Sequence, residues 1–515
     1  MGQHLPLELI ALIAEYRRDD SKRFLTQYAL VGRTWQAAFE PFIYDRVWIH
    51  SEPFTTGKRA TSIEALSLNT PHVVARRKMI REIFYCIILP LDLPDYERII
   101  VKTSEQTYTP HSFIRRANNQ AFTGAILSLF RFLASVDAEQ RVTIRFETLG
   151  RDKGYDPGTV PWDRPGAARG KWAVRPYRAE SSNHNGPLPR APCVDRIIAD
   201  DQWLYRGNSK RIRLEAACWI AQACPALSQF EWEADDTALP EHVDYAQHRR
   251  QAVAEALLHL PTTLQIFNLR SLTIDPLHES LPAPVLCSKE HDLLSTNLRH
   301  MSVQLREIDL YEVPLANDFL CPLNDHGKPR GQPIEWPLLE QVFISRPDFL
   351  PSGEWLKDPG PITQEFEIGD IEDPGFDYAE FIERLGRRDP RTGTHIWWDR
   401  AVINRELYLL NCISTGYAAR GMPRLQLMDI GFTSAMEVST YMQFVREQAA
   451  GEATLTWNGD GYNNHKPDER VAHAWGFALS RMAKNQESWG NDLIGDYIRY
   501  SAAVSWENPV DSVMR

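Results

Sequence analysis

Beyond residue 200 one short phrase keeps returning: a proline, one or two residues, a leucine, then apolar positions that alternate with polar ones. It stands as Pro225-Ala226-Leu227-Ser228-Gln229-Phe230-Glu231-Trp232 and as Pro261-Thr262-Thr263-Leu264-Gln265-Ile266-Phe267-Asn268-Leu269. Pro337-Leu338-Leu339-Glu340-Gln341-Val342-Phe343-Ile344 and Pro423-Arg424-Leu425-Gln426-Leu427-Met428-Asp429-Ile430 carry it again, and Leu305-Arg306-Glu307-Ile308-Asp309-Leu310 repeats it without the proline. Alternation with a period of two puts the apolar side chains on one face of a strand. Helical stretches at Ile212 to Ala223, Ala252 to Leu260 and Ala401 to Ala419 precede several copies. A proline lacks an N–H and cannot continue a helix, so it separates helix from strand. Such a unit recurring along a chain predicts parallel strands, each paired with the next, with helices covering the outside.

Two earlier segments read as first rungs of the same stack. Ile83 to Leu89 and Val142 to Glu147 are strand-like, and an apolar helix over Ala121 to Ala134 separates them. The spacing of the units is irregular. An ordinary α/β domain whose strands happen to start after prolines therefore stays open as an alternative at this point.

The first fifty residues are of another kind. Leu5, Leu9, Leu12, Ile13 and Tyr16 recur at the spacing of one helical face. A polar break at Arg17-Arg18-Asp19-Asp20-Ser21 interrupts them, and a second stripe of Tyr28, Val31, Trp35, Phe39 and Phe42 runs into Pro41, where a helix is expected to stop. Two short helices cannot bury both of their faces alone, so they must pack on each other and on something else.

Leu5-Pro6, Glu8, Leu9 and Ile13, followed by Val31-Gly32-Arg33-Thr34-Trp35, resemble an F-box. Gly32 stands where the family usually has cysteine, and Tyr16-Arg17 where it often has leucine. The resemblance implies docking on the Skp-type adaptor of a cullin–RING ubiquitin ligase, with Leu5, Pro6, Leu9, Ile13, Val31 and Trp35 making the adaptor contact or holding its shape. The later phrase resembles the Leu-x-x-Leu-x-Leu strand of leucine-rich repeats, with Cys, Val, Met and Phe in place of many leucines. The whole is similar to fungal F-box proteins with degenerate repeat tails, through Arg76-Arg77-Lys78 before a strand, Pro351 to Trp355, and a late strand at Thr454 to Trp457.

The expected fold is thus α/β: a small all-helical F-box at residues 1–50, then an irregular leucine-rich-repeat-like solenoid of parallel strands and covering helices at residues 51–515. The resemblance implies a substrate receptor that holds an unidentified target protein. A protein–protein scaffold using the hairpin as a cap is the alternative.

Chemistry-bearing patterns are missing. The sequence has no phosphate loop of the Gly-x-x-x-x-Gly-Lys-Ser/Thr type, no complete Gly-x-Gly-x-x-Gly, no His-Glu-x-x-His and no Gly-x-Ser-x-Gly. Cys218 and Cys224 are poorly spaced for zinc, and His242, His248 and His259 share no face that the pattern fixes. Gly459-Asp460-Gly461 lacks the glycine of a calcium loop. The expectation is a non-catalytic chain without cofactor or metal. A net charge of -11 argues against general nucleic-acid binding. Seven cysteines without close pairing read as reduced thiols. The longest apolar run, Ile83 to Leu91, is too short to span a bilayer, so no membrane partner is expected and cytoplasm or nucleus is the expected location.

Two insertions complete the reading. Residues 148–192, rich in glycine, proline and arginine, are expected to form a long surface loop, and residues at about 360–380 an acidic one. Solvation of exposed loops accounts for both charge runs.

Overall fold

The computed structural model describes residues 5–17, 22–53, 61–92, 113–153, 179–180, 186–199, 212–235, 243–272, 283–288, 291–332, 334–358, 402–432, 440–446, 453–459, 466–487 and 497–504. Three helices open the chain: α1 (Leu7–Tyr16), α2 (Lys22–Ala29) and α3 (Arg33–Tyr44). The rest is built on one 13-stranded sheet. Its first eight strands are β1 (Arg46–His50), β2 (Glu82–Asp92), β3 (Val142–Lys153), β4 (Val194–Ala199), β5 (Gln229–Asp235), β6 (Ile266–Leu272), β7 (Glu307–Tyr311) and β8 (Gln341–Arg346). A two-residue pair, β9 (Lys357–Asp358) and β10 (Val402–Ile403), stands apart. The sheet resumes with β11 (Leu427–Phe432), β12 (Thr440–Arg446), β13 (Ala453–Gly459), β14 (Ala483–Glu487) and β15 (Tyr497–Val504).

From β1 to β8 and on to β11 each strand lies parallel to the next one in the sheet. The connections carry α4 (Ile63–Ser67), α5 (Pro71–Arg77), α6 (Phe113–Leu133), α7 (Leu214–Gln222), α8 (Val243–Leu257), α9 (Leu293–Ser302) and α10 (Arg405–Ala419). Parallel neighbours joined in order by crossovers of one hand put all their helices on the same face. Burial agrees. Ile83, Ile144, Ile197, Phe230, Phe267, Ile308, Val342 and Met428 stand in one register row. All are buried in one core with Leu129 of α6, Ile220 of α7, Leu257 of α8, Leu298 of α9 and Ile413 of α10.

The leucine of the recurring phrase has a defined job. Leu227, Leu264, Leu305, Leu339 and Leu425 are all sealed from solvent. The N–H groups of Leu227, Leu264, Leu305 and Leu425 donate to the carbonyls of Cys224, Pro261, Ser302 and Met422, closing a turn. The next residue opens the strand against the preceding unit. Arg306 N–H donates to Gln265 O at 2.7 Å, and Arg306 O accepts from the N–H groups of Glu340 and Gln341 at 2.8 and 3.1 Å. Helices are tied across units as well: Asn297 Nδ2 donates to Ala254 O at 2.8 Å.

Several expectations need correction. The stack does not stay parallel: β12, β13, β15 and β14 pair antiparallel, and the Thr454 to Trp457 strand belongs to this end. Alternation selects a buried face and says nothing of strand direction. The sheet begins at Arg46, inside the first fifty residues. Residues 148–153 are strand, because Ile87 and Ile88 of β2 pair with Thr148 and Leu149. At the far end of the same stretch, Leu188 and Ala191 are buried in the core. The second helical stripe is split at Leu30 to Gly32 into two helices, and α3 continues through Pro41 to Tyr44. Packing of Phe42 and Ile43 against Phe39 and its neighbours outweighs the lost backbone hydrogen bond there.

Residues 154–178, the acidic stretch at about 360–380, His242 and residues 460–465 lie outside the described residues. Among the described residues no cluster of His, Cys, Asp and Glu could hold a metal ion, and no helix is long and apolar enough to cross a membrane. All seven cysteines are free, six of them buried. Trp232, Trp336, Trp457 and Trp475 are buried completely and fill the core.

Candidate functional site

α1 is apolar on nearly every side: Leu7, Leu9, Ile10, Leu12 and Ile13 fall within two turns, and Leu5 stands just before its N-cap. A helix of that kind is stable in water when both of its faces are covered. In this chain only one is. Ile10 and Ala14 point inward and make a small core with Leu25, Ala38 and Phe39, separate from the core of the sheet. The stripe picked out by sequence spacing points the other way. Leu5, Leu9, Leu12 and Tyr16 are 48%, 47%, 61% and 85% exposed.

The predicted contact residues therefore fall on one module. Leu5 and Pro6 lead into α1, with Pro6 as its N-cap residue, and Leu9 and Ile13 lie on its outer side. Val31 sits in the α2–α3 turn, 65% exposed, its N–H donating to Tyr28 O at 3.1 Å. Trp35 is half-buried on α3, stacked against Phe39 with ring centroids 5.7 Å apart and against Tyr28 at 6.3 Å. Trp35 thus shapes the module more than it covers it. Leu7, Phe24 and Leu30 were not singled out by spacing, yet all three are exposed. Among the described residues, nine of the fifteen exposed large apolar side chains lie between Leu5 and Val31. The exposed apolar side chains are thus concentrated on this one module.

Gly32 does not owe its place to the backbone. Its φ of 172° is extended geometry open to any residue, and a Cβ built there meets nothing within 4 Å. The position could therefore carry a larger side chain on this same scaffold.

The module is held firmly to the sheet. α3 runs directly into β1, and Asp45 O between them accepts from the N–H groups of Arg81 and Glu82 at 2.8 and 2.9 Å. Arg76 of α5 donates to Glu40 of α3 at 2.9 Å and lies over the Tyr44 ring at 4.9 Å. Burial works to raise the Glu40 carboxyl, but hydrogen bonds from Gln36 and Arg76 prevail and hold it below the usual carboxylate range. A partner seated on α1–α3 would keep a fixed attitude to the sheet.

The face of the sheet opposite the helices is the second surface. At its β1–β3 end Trp48 stacks on Phe84 at 4.4 Å, and Glu82 pairs with Arg145 at 2.6 Å and with Arg46 at 3.2 Å. From β5 to β11 it becomes acidic, with Glu231, Glu307, Asp309 and Asp429 half-buried. Burial raises the Glu307 carboxyl above its ordinary value, and the charges of Asp309 and Glu231 add to the effect. Burial also raises Asp309, with Arg270 opposing and Glu231 adding. Asp429 is raised by burial against a hydrogen bond from Gln443 at 3.2 Å. No alternation rule announced this row, because its members come from three strands far apart in sequence.

Comparison with protein-family models, with curated proteins and with solved structures finds no match to this chain.

Proposed function

We propose that this chain is the substrate receptor of a cullin–RING ubiquitin ligase, an F-box module followed by a degenerate leucine-rich-repeat-like solenoid. The Skp-type adaptor docks on α1–α3 through the outward stripe of α1 and the α2–α3 turn. The body holds a target protein. The chain performs no bond chemistry; it raises the effective concentration of target lysines near a ubiquitin-conjugating enzyme.

One observation carries the reading. A helix apolar on both faces, Ile10 and Ala14 inward and Leu9 and Leu12 outward, is covered by its own chain on one face alone, and Leu5 just before it is exposed as well. The F-box resemblance supplies the partner's chemistry, and the rigid join between α3 and β1 supports a receptor that presents its target at a set distance. A hairpin that merely caps the body would turn this stripe inward.

The test is capture of the purified chain by a Skp adaptor. Leu5→Ala with Leu9→Ala removes two central anchors, at about 2 kcal/mol or more each, a loss of roughly thirtyfold per site. Leu68→Ala with Leu258→Ala, exposed leucines elsewhere on the chain, leaves capture unchanged. Equal capture of both double variants would place the contact elsewhere. A non-ligase scaffold predicts that even the unaltered chain captures no adaptor.

A further inference from the structure

On the open face of the sheet, register sets Glu231, Asn268, Asp309, Phe343 and Asp429 side by side in one row. Carboxylates thus recur on every second strand, at β5, β7 and β11. Neighbouring strands lie about 4.8 Å apart, so successive carboxylates are about 10 Å apart. Between the first two stands Asn268, half-buried, whose Oδ1 is sealed from solvent and accepts no hydrogen bond. The carboxylates of the row offer a ligand negative charge. Arg270, one step along β6, has its guanidinium over the Tyr311 ring at 5.8 Å.

Holding Asp309 and Asp429 here costs the fold stability, since burial disfavours the charge of both and the charge of Glu231 adds to the effect at Asp309. Beyond β5 and β11 the same row is not acidic: it holds Arg145 on β3, Ile198 on β4, Gln443 on β12 and Thr456 on β13. A locally unfavourable choice repeated on alternate strands points to a ligand that repays it.

We infer that the open sheet face from β5 to β11 binds an extended segment of a protein partner that crosses the strands and carries lysine or arginine at every third position. Three residues of extended chain cover about 10 Å, which matches two inter-strand steps. Three cations at that spacing meet Glu231, Asp309 and Asp429 in turn. A polyanion is repelled by the same row. The inference deepens the receptor reading, on which it rests for calling this partner a target.

The probe is a fluorescein-labelled peptide of glycine and serine with three lysines, each separated by two residues, followed by anisotropy at low ionic strength. A second peptide of the same composition has its lysines contiguous. The spaced peptide is expected to bind the unaltered chain several-fold more tightly. Glu231→Gln with Asp309→Asn and Asp429→Asn is expected to lose about tenfold in affinity or more. Glu139→Gln with Glu255→Gln and Asp325→Asn removes the same charge elsewhere and is expected to keep it. Equal loss in both triple variants, or equal binding of both peptides, overturns the inference. If the first triple variant fails to fold, the comparison of the two peptides on the unaltered chain still decides. Adaptor capture is measured on the same proteins. Its absence beside spacing-dependent binding would sink the receptor reading alone, and the reverse outcome would sink this one alone.

Discussion

Leu305→Ala tests how the body is held together. Leu305 is completely buried, and its N–H closes the turn after α9 by donating to Ser302 O at 3.0 Å. The residue after it joins three strands, through Gln265 on one side and Glu340 and Gln341 on the other. Truncation to alanine removes about three carbons from the core, worth ~2.4 kcal/mol at ~0.8 kcal/mol each. The units on either side fix the backbone, so collapse into the space is limited. A residual cavity of roughly 60 Å³ adds ~1.5 kcal/mol at ~24 cal/mol per Å³. The expected cost is therefore about 4 kcal/mol. Leu68→Ala, at a leucine already 54% exposed, should cost less than about 1 kcal/mol. Urea unfolding followed by circular dichroism gives the global effect. Hydrogen exchange at the amides of Arg306, Glu307, Glu340 and Gln341 gives the local one, with protection falling by up to about a thousandfold. If Leu305→Ala costs no more than Leu68→Ala, the buried leucine is not what seats these turns.

Two further outcomes follow from the geometry. In Gly421→Ala the new Cβ would stand 2.6 Å from Ile334 O, beside the hydrogen bond from Trp336 N–H to Gly421 O, so its melting temperature should fall clearly. Gly431→Ala, where nothing lies within 4 Å, should melt close to the unaltered chain; the opposite order would refute the packing described around Trp336. The fold raises the Asp309 carboxyl, so its contribution to stability is fully present below the ordinary carboxylate value of about 4 and is lost as pH rises through the folded value. Asp309→Asn should therefore melt higher than the unaltered chain at about pH 7, with the advantage gone near pH 3. A lower melting temperature at neutral pH would mean that the carboxylate is held by attraction.

The order of helix, turn and strand was readable because its signals are local. Proline breaks a helix, alternation marks a strand, and the leucine at 227, 264, 305, 339 and 425 announces its own burial. β1 and β4 escaped notice: Arg46–His50 follows α3 without a break, and Val194–Ala199 lacks clean alternation. The site was legible as a stripe of spacing on α1, but not as a surface. Spacing groups Leu5, Leu9 and Leu12 on one side without saying whether that side or the side of Ile10 and Ala14 finds cover.

By itself, then, the sequence determined where the recurring helix–turn–strand units lie and which face of each of their strands is buried, since those depend on periods of two and of three to four along the chain. Tertiary structure decided what the periods leave free. It turned the last four strands antiparallel, left the outer stripe of α1 uncovered, and brought Glu231, Asp309 and Asp429 into one row across the sheet. Such neighbours are set by hydrogen-bond register between distant strands, and no local pattern carries that information.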